Sequence, residues 1–306
     1  SAKPLPEIPL PNDLATRADG SSPTGLRLNV PVEAPTANER ETRREINTLD
    51  GFGTYAPITV RFDAALDLDD VARRHRENLD FADDAVFVVA IDPASPAFAE
   101  PVLLDMGRGN FPGTLDADET HYFPGDSREG EAALIYETVD EDLDGDGVLD
   151  PGEDTDNDEV LDRPNVWPPD APVKDGLLTY YDLETNTLIL RPVTPLRERT
   201  TYAVILTDRL HGRNGVRIRS PFRWVHHVEQ TEPLRRLDGV FDRWRERGID
   251  VDWRDVAFTW TFTTQSVTAD LVAIREGLYG VGPLAWLADR FPADVEPAVA
   301  NTDRTL

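Results

Sequence analysis

Apolar and polar residues begin to alternate just after Pro57, where Ile58, Val60 and Phe62 are separated by polar side chains. A period of two residues predicts a half-buried β-strand. Comparable runs predict further strands over residues 86–91, 132–137, 177–181, 187–191, 202–207 and 256–264. The polar segment 182–186 favours a β-hairpin between the two runs that flank it. Short strands joined by turns predict a mainly β fold, specifically an immunoglobulin-like β-sandwich with an inserted loop and a few peripheral helices.

A spacing of three and four residues predicts helices later in the chain. Before Gly248 it places Leu234, Leu237, Phe241 and Trp244 on one stripe of a helix that covers the core. A second helix is predicted between residues 268 and 280, and a third after residue 283. The residues of the second helix that we expect to face inward are Leu271, Ile274 and Leu278.

These patterns divide the chain into three regions. Proline punctuates residues 1–50, which are predicted to form an extended arm laid over the domain. The sandwich occupies residues 51–265, with an acidic insertion at 139–166 and a helical insertion at 231–250. Residues 266–306 are expected to form a helical segment that leads to a further domain beyond Leu306.

The alternation also predicts which strand residues are buried. The expected core residues are Ile58, Val60, Phe62, Val204, Leu206, Phe258, Trp260 and Phe262. Their neighbours on the opposite faces should be comparatively exposed, namely Thr59, Arg61, Thr259 and Thr261.

Charge excludes several partners. With 58 acidic residues against 31 lysines and arginines, the net charge is −27, which disfavours nucleic acids and anionic lipid surfaces. The absence of cysteine excludes disulfides and thiolate metal sites. No apolar run approaches the ~18 residues of a membrane span. No signal peptide is visible, and the chain opens at Ser1 and not at Met, which is compatible with earlier removal of a targeting segment.

Much of the acidity lies in a tandem repeat. The twelve-residue segments 142–153 and 154–165 align without a gap, with Asp at positions 1, 3, 5 and 9, Val at 7 and Leu at 8. Calcium takes oxygen ligands, and a twelve-residue loop supplies them from positions 1, 3, 5, 7, 9 and 12. The candidate ligands in the first copy are Asp142, Asp144, Asp146, the carbonyl of Val148, Asp150 and Glu153. Those in the second copy are Asp154, Asp156, Asp158, the carbonyl of Val160 and Asp162.

The two copies differ in how well they fit calcium. The first has Gly147 at the turn position, whereas the second has Glu159 there and Asn165 in place of the closing acid. The pattern therefore predicts one or two calcium ions, with the second bound more weakly. A solvated acidic loop would explain the charge but not the spacing. Because the flanks lack paired helices, the repeat resembles those of dockerins and thrombospondin type 3 segments, and its expected role is structural.

No catalytic or cofactor-binding residue is predicted. No serine lies in a G-x-S-x-G nucleophile elbow, and there is neither a P-loop nor a dinucleotide-binding glycine motif. The adjacent His226 and His227 would point to opposite faces of an extended segment, which disfavours chelation of one ion. A pair of carboxylates suited to glycoside hydrolysis remains open but has no sequence signal.

Several segments resemble a known bacterial module. They are residues 9–14 (PLPNDL), 47–54 (NTLDGFGT), 56–60 (APITV), 190–207 and 258–264 (FTWTFTT). Together they resemble the N-terminal domain that precedes bacterial extracellular lipase-like hydrolases, the bacterial virulence factor lipase N-terminal domain. The likeness spans most of residues 9–280 and implies a secreted or lipid-anchored envelope protein. It carries no catalytic triad onto this chain, and the acidic repeat is an addition to the family pattern.

Two functions are consistent with these features. The first is a non-catalytic, calcium-binding N-terminal module of a serine hydrolase of lipase or esterase type, at the cell surface or outside the cell. The second is a calcium-stabilised surface adhesin or structural protein. A downstream G-x-S-x-G motif would favour the first, and further immunoglobulin-like repeats the second.

Overall fold

The computed structural model describes residues 8–75, 80–106, 140–154, 161–169, 171 and 176–292. These residues form the antiparallel sheets that the apolar pattern predicts, together with more helix than the few peripheral helices expected. The strands are β1 (Thr16–Ala18), β2 (Leu26–Leu28), β3 (Ile58–Arg61), β4 (Val86–Ala90), β5 (Leu104–Asp105), β6 (Tyr181–Asp182), β7 (Thr187–Pro192), β8 (Thr201–Thr207) and β9 (Val256–Thr263). The α-helices are α1 (Ala37–Ile46), α2 (Leu68–Arg74), α3 (Thr231–Leu234), α4 (Leu237–Glu246), α5 (Ala269–Leu278) and α6 (Trp286–Arg290).

The strands form three antiparallel sheets. One is the pair β1–β2; the second has the order β3–β7–β5, with β6 also paired to β7; the third has the order β4–β8–β9. The predicted hairpin is present as β6–β7, but its first strand is shorter than predicted, since only Tyr181 and Asp182 pair with β7. The predicted strand at 132–137 lies outside the described residues. None of the helices in the described part of the chain has the length and apolar character needed to cross a bilayer.

The chain divides into two compact units. The first contains Ser1–Ala15, Tyr55–Leu196 and Thr200–Thr263, and with them the two larger sheets, α2, α3, α4 and the acidic insertion. The second contains Thr16–Thr54, Arg197–Arg199 and Thr264–Leu306, and with them β1, β2, α1, α5 and α6.

Helix α4 covers one face of the β4–β8–β9 sheet. The predicted stripe is buried and packs in one cluster with side chains of β4 and β8, but it spans two helices instead of one, because Leu234 ends α3 whereas Leu237, Phe241 and Trp244 lie on α4. The ring of Trp244 lies 4.9 Å from that of Phe87, and its indole nitrogen donates to the Ala99 carbonyl at 2.9 Å. The helix is therefore part of the core, as its spacing predicts.

The predicted exposure of Thr259 and Thr261 is wrong, since both are fully buried. They pair with Ile205 and Ala203 and therefore share the sheet face that α4 covers. Burial is tolerated because the hydroxyls are bonded: that of Thr259 donates to the Val204 carbonyl at 2.7 Å, and that of Thr261 lies 3.0 Å from a carboxylate oxygen of Asp13. The opposite face of β9 is also buried, as predicted for Phe258, Trp260 and Phe262.

Strand β3 follows the predicted alternation. Ile58 and Val60 are buried, Thr59 is half-buried and Arg61 is exposed. Phe62, predicted in the core, lies just beyond the strand and is only half-buried. The two-residue period is reliable in β3, where alternate residues reach solvent, and misleading in β9, where both faces are buried.

The beginning of the described chain lies against β9. The Pro11 carbonyl accepts a hydrogen bond from the indole of Trp260 at 2.9 Å, and Leu10 pairs with Thr59 through both main-chain bonds. Asp13, in a short 3-10 turn, accepts from the hydroxyls of Thr261 and Thr263 at 3.0 and 3.2 Å. Burial raises the pKa of Asp13 to about 6.

In the second unit, the region predicted as an extended arm is not extended throughout. It contains the β1–β2 pair and the ten-residue helix α1, which begins at a Thr36 side-chain cap and buries no residue. Helix α5 begins close to the predicted start, after Thr268. Its apolar residues Leu271, Ile274 and Leu278 were expected inward but are 68%, 43% and 41% exposed, because no described element covers that face.

Candidate metal centre

The first copy of the acidic repeat is described in full and turns at glycines. Gly145, Gly147 and Gly152 have φ values of 77°, 76° and 102°, the left-handed region that favours glycine. Gly147 occupies the sixth position, where a calcium loop needs its sharp turn. Its amide donates to both carboxylate oxygens of Asp142 at 3.2 Å, so the first position of the loop folds onto the sixth.

Three carboxylates converge inside this turn. Asp144 accepts from the Asp146 amide at 3.1 Å, and Asp146 accepts from the Val148 amide at 2.8 Å, which fixes both side chains against the loop. Ligand oxygens of Asp142, Asp144 and Asp146 all lie within 4.8 Å of one another. Oxygens bound to one calcium ion at 2.3–2.6 Å can be at most about 5 Å apart. Oxygens at this spacing are close enough for one metal ion to bind all three carboxylates.

Glu153 closes the loop from its last position. It is 6% exposed, and its two carboxylate oxygens accept from the amides of Leu143 and Asp150 at 3.0 and 2.9 Å. These bonds join positions 2, 9 and 12 of the copy. The carboxylates that lie within 4.8 Å of one another do not include those of Glu153 and Asp150, and Val148 offers only a main-chain carbonyl.

The second copy is described only in part. Asp154 and Asp162 lie within the described residues, whereas Asp156, Asp158 and Val160 lie outside them. Asp162 meets Glu141, the residue that precedes the first copy. The Asp162 amide donates to the Glu141 carboxylate, and the Glu141 amide donates to the Asp162 carbonyl, both at 3.1 Å.

Glu141 is a residue that the sequence analysis misses. It is 1% exposed, so the Asp162 contact is made in the interior of the insertion. A signal for it exists, since Glu141 stands twelve residues before Glu153, at the closing position of the same period. Both glutamates use their carboxylates to hold main-chain amides of the insertion.

Asn165, at the closing position of the second copy, anchors the insertion to the β6–β7 hairpin. It is 5% exposed; its side-chain nitrogen donates to the carbonyls of Leu178 and Tyr181 at 2.9 and 2.8 Å, and its side-chain oxygen accepts from the Leu183 amide at 2.9 Å. These contacts explain the departure from the repeat. A carboxylate here could not donate to the two carbonyls, and the amide is already used.

A cation of the chain lies at the same loop. Arg163 forms an ion pair with Asp142, whose side chain is 5% exposed while that of the arginine is 62% exposed. The guanidinium therefore neutralises part of the charge from the solvent side. An incoming metal ion would compete with it for one oxygen of Asp142.

The histidines do not form a second centre in the part of the chain that the structure describes. His75 is buried and its Nε2 accepts from the amides of Ala85 and Val86 at 3.3 and 3.2 Å, while Nδ1 faces Asp84 at 3.5 Å. Burial lowers the pKa of His75 to about 4, so the ring is neutral near pH 7 and serves to hold the start of β4. The Nδ1 atoms of His226 and His227 are engaged with main-chain atoms within two residues.

No family model, curated protein or solved structure matches the chain. The chemistry of this site therefore rests on its own residues.

Proposed function

We propose that the first copy of the repeat binds one calcium ion, and that the ion stabilises a non-catalytic, mainly β module that works outside the cell. The observation that carries this proposal is the convergence of Asp142, Asp144 and Asp146 within 4.8 Å around the left-handed Gly147. Carboxylates this close repel one another, and a divalent cation relieves that repulsion. Hard oxygen ligands at this spacing favour calcium over softer metals.

A weak calcium site would suit a protein that works outside the cell. Asp144 and Asp146 are exposed, and the closing acid Glu153 is not among the three carboxylates that converge. Calcium sites of extracellular modules have dissociation constants of roughly 10⁻⁴–10⁻³ M, which we expect here. Such a site fills only where free calcium is abundant, as it is outside cells or at a bacterial outer surface.

A second ion would bind more weakly. Asn165 cannot complete the coordination of an ion in the second copy, because its side-chain amide is already hydrogen-bonded to the hairpin. We therefore expect one ion per chain at moderate calcium concentration. The hydrogen bonds of Asn165 to Leu178, Tyr181 and Leu183 connect the acidic insertion to the hairpin. Through them, an ordered loop would stabilise the rest of the unit.

Calorimetric titration of the chelator-treated chain with calcium chloride tests the proposal. We expect binding near one ion per chain and a gain in the free energy of unfolding of about 2.7 kcal/mol at a hundredfold excess of calcium over Kd. The double variant Asp144→Asn/Asp146→Asn should lose the binding heat and the shift in Tm. The matched control Glu232→Gln/Asp242→Asn removes two exposed charges elsewhere and should retain both. Titration of the unaltered chain without heat or Tm shift would refute the calcium site.

The sequence resemblance supports a further part of the proposal, that this module belongs to a polypeptide with a serine hydrolase domain of lipase or esterase type. A positioning role would suit a chain in which no nucleophile elbow occurs. A G-x-S-x-G motif in the reading frame beyond Leu306 would support it. Turnover of a short-chain nitrophenyl ester by the purified chain, lost on mutation of one of its serines, would contradict the non-catalytic assignment.

We also propose that the two larger sheets are the halves of an immunoglobulin-like sandwich. The division of seven antiparallel strands into four and three supports this, as do buried residues on each sheet, such as Leu190 of β7 and Val204 of β8. A double-mutant cycle with Leu190→Ala and Val204→Ala tests whether these residues share a core. Sharing predicts a coupling energy above about 0.5 kcal/mol, whereas separate cores predict additive losses.

A further inference from the structure

A second candidate site lies in the first unit and is lined by no residue of the acidic insertion. It is an open groove of about 710 Å³ between the segment 217–226 and the residues around Trp253. Arginine and aromatic side chains line it, namely Arg217, Arg219, Arg223, Phe222, Trp224 and Trp253. We refer to these six residues as the Arg/Trp groove.

The groove concentrates positive charge on an acidic protein. Three arginines fall within seven residues of a chain whose net charge is −27. Arg217 pairs with Asp208, and the guanidinium of Arg223 lies 5.5 Å from the centre of the Trp224 ring. Among the described residues, neither Arg219 nor Arg223 has a carboxylate partner. Two guanidinium groups are therefore available to an anion that enters the groove.

The aromatic side chains supply a flat apolar surface beside these cations. Trp224 is 61% exposed, which is unusual for so large an apolar side chain. Trp253 is held in place, because its indole nitrogen donates to Asp238 at 2.6 Å and its ring lies edge-on to that of Phe241 at 5.5 Å. Trp253 is thus anchored by its neighbours, while Trp224 is largely open to solvent.

These features specify a ligand with two chemical parts. Guanidinium groups bind planar carboxylates through two parallel hydrogen bonds. An exposed indole face packs against flat apolar surfaces, including the C–H face of a pyranose ring. An open groove suits an extended chain better than a small molecule, which would be enclosed.

Charge density selects among extended anions. A phosphodiester polymer carries its charges a few ångströms apart and would be strongly repelled by the rest of this acidic protein. A polysaccharide with at most one carboxylate per sugar meets less repulsion and offers a ring face with each charge. The geometry points to the Arg/Trp groove as a binding site for a carboxylated polysaccharide, a polyuronate.

Binding of oligogalacturonate, measured by calorimetry in chelator and 0.15 M salt, tests this site. Chelator is needed because polyuronates themselves bind calcium and could bridge to the acidic loop. We expect saturable binding that the double variant Arg219→Gln/Arg223→Gln weakens at least tenfold, and that Trp224→Ala also weakens. The matched control Arg235→Gln/Arg245→Gln removes the same charge from exposed sites on and beside α4 and should bind as the unaltered chain does.

Four outcomes would overturn the inference. They are no binding by the unaltered chain, equal binding by the groove variant, equal binding of the fully methyl-esterified oligosaccharide, and tighter binding of a single-stranded oligonucleotide. Circular dichroism of each variant shows whether it is folded. Repeating the titration in calcium with Asp144→Asn/Asp146→Asn separates this site from the calcium proposal, since loss of binding in that variant would indicate bridging through the loop instead.

Discussion

In the β4–β8–β9 sheet, main-chain amides donate hydrogen bonds to main-chain carbonyls of neighbouring strands. In the acidic loop, several main-chain amides donate to side-chain carboxylates instead. The sheet buries both faces, one of them under α4, and even its threonines are bonded internally. In the loop, Asp142, Asp146 and Glu153 accept from amides at 2.8 to 3.2 Å while most side chains around them remain exposed. The first region depends on removal of apolar surface from water. The second depends on charge, and therefore on which cations are present.

The sheet is most directly tested at Trp244. We expect Trp244→Ala to lower the free energy of unfolding by about 3–5 kcal/mol, because it leaves a cavity under α4 and an unpaired Ala99 carbonyl. Urea unfolding should give the same loss in calcium and in chelator. The matched control Trp224→Ala, at an exposed tryptophan, should cost less than about 0.5 kcal/mol. Equal losses in the two variants would show that α4 does not cover a core.

The junction between the two regions is tested at Asn165. Restoring the acid of the repeat, Asn165→Asp, places a carboxylate against the carbonyls of Leu178 and Tyr181 and should cost about 2–4 kcal/mol. Chemical denaturation measures the loss, and calorimetry should show no gain in calcium affinity. Asn214→Asp, at an exposed turn, serves as the control and should be neutral. A tenfold gain in affinity would mean that Asn165 belongs to the metal shell.

Asp13, the buried carboxylate that accepts hydrogen bonds from β9, makes the stability of the folded chain depend on pH. The pKa of Asp13 is about 6 in the folded chain against an ordinary value of 3.8, so between these values the folded chain binds more protons. Stability from this group is therefore lost as pH rises from about 4 to 6.

Asp13→Asn removes this dependence. We expect the variant to exceed the unaltered chain by roughly 1–2 kcal/mol at pH 8, with the advantage shrinking toward pH 5. Thermal unfolding at both pH values, with Asp242→Asn as an exposed control, measures the difference. An advantage that is the same at pH 5 and pH 8 would rule out titration of Asp13.

The smallest expected effect concerns the turn of the loop. A Cβ atom at Gly147 would meet nothing within 4 Å, so Gly147→Ala adds only the cost of a left-handed backbone at φ 76°. We expect the free energy of calcium binding to weaken by about 1 kcal/mol, which is about a fivefold loss of affinity. Gly20→Ala, at another open position, should leave the affinity unchanged. A loss as complete as that of Asp144→Asn/Asp146→Asn would mean that the turn is more constrained than its φ indicates.

The difference between the sheet and the loop also explains which features can be predicted from the sequence. Strands β4, β8 and β9 and the stripe of α4 follow from the spacing of apolar residues, because burial selects those positions. The same spacing cannot reveal that Thr259 and Thr261 are covered, since threonine suits both a solvated face and a face with hydroxyl partners. An alternating sequence shows which residues are polar. Polar residues are exposed only where no helix covers their face of the sheet.

Helix α1 lacks that kind of signal. It buries no residue, so its sequence has no apolar stripe. Its sequence signals are the N-cap Thr36, whose side chain accepts from the Glu39 amide at 3.1 Å, and the ion pair between Glu39 and Arg43, one turn later. Asn165 is a different case. The repeat shows where a ligand is missing, but the carbonyls of Leu178 and Tyr181 that select an amide there are distant in sequence.

The contact between Glu141 and Asp162 joins the residue that precedes the repeat to the ninth position of its second copy. The Glu141 amide donates to the Asp162 carbonyl at 3.1 Å, so the main chain is held together at these two points of the sequence. The entropy of closing the loop between them rises only slowly with its length, about 0.6 kcal/mol for each doubling. Gain or loss of a whole twelve-residue copy would therefore preserve the junction, and related genes could differ in copy number while their flanking strands stay in register.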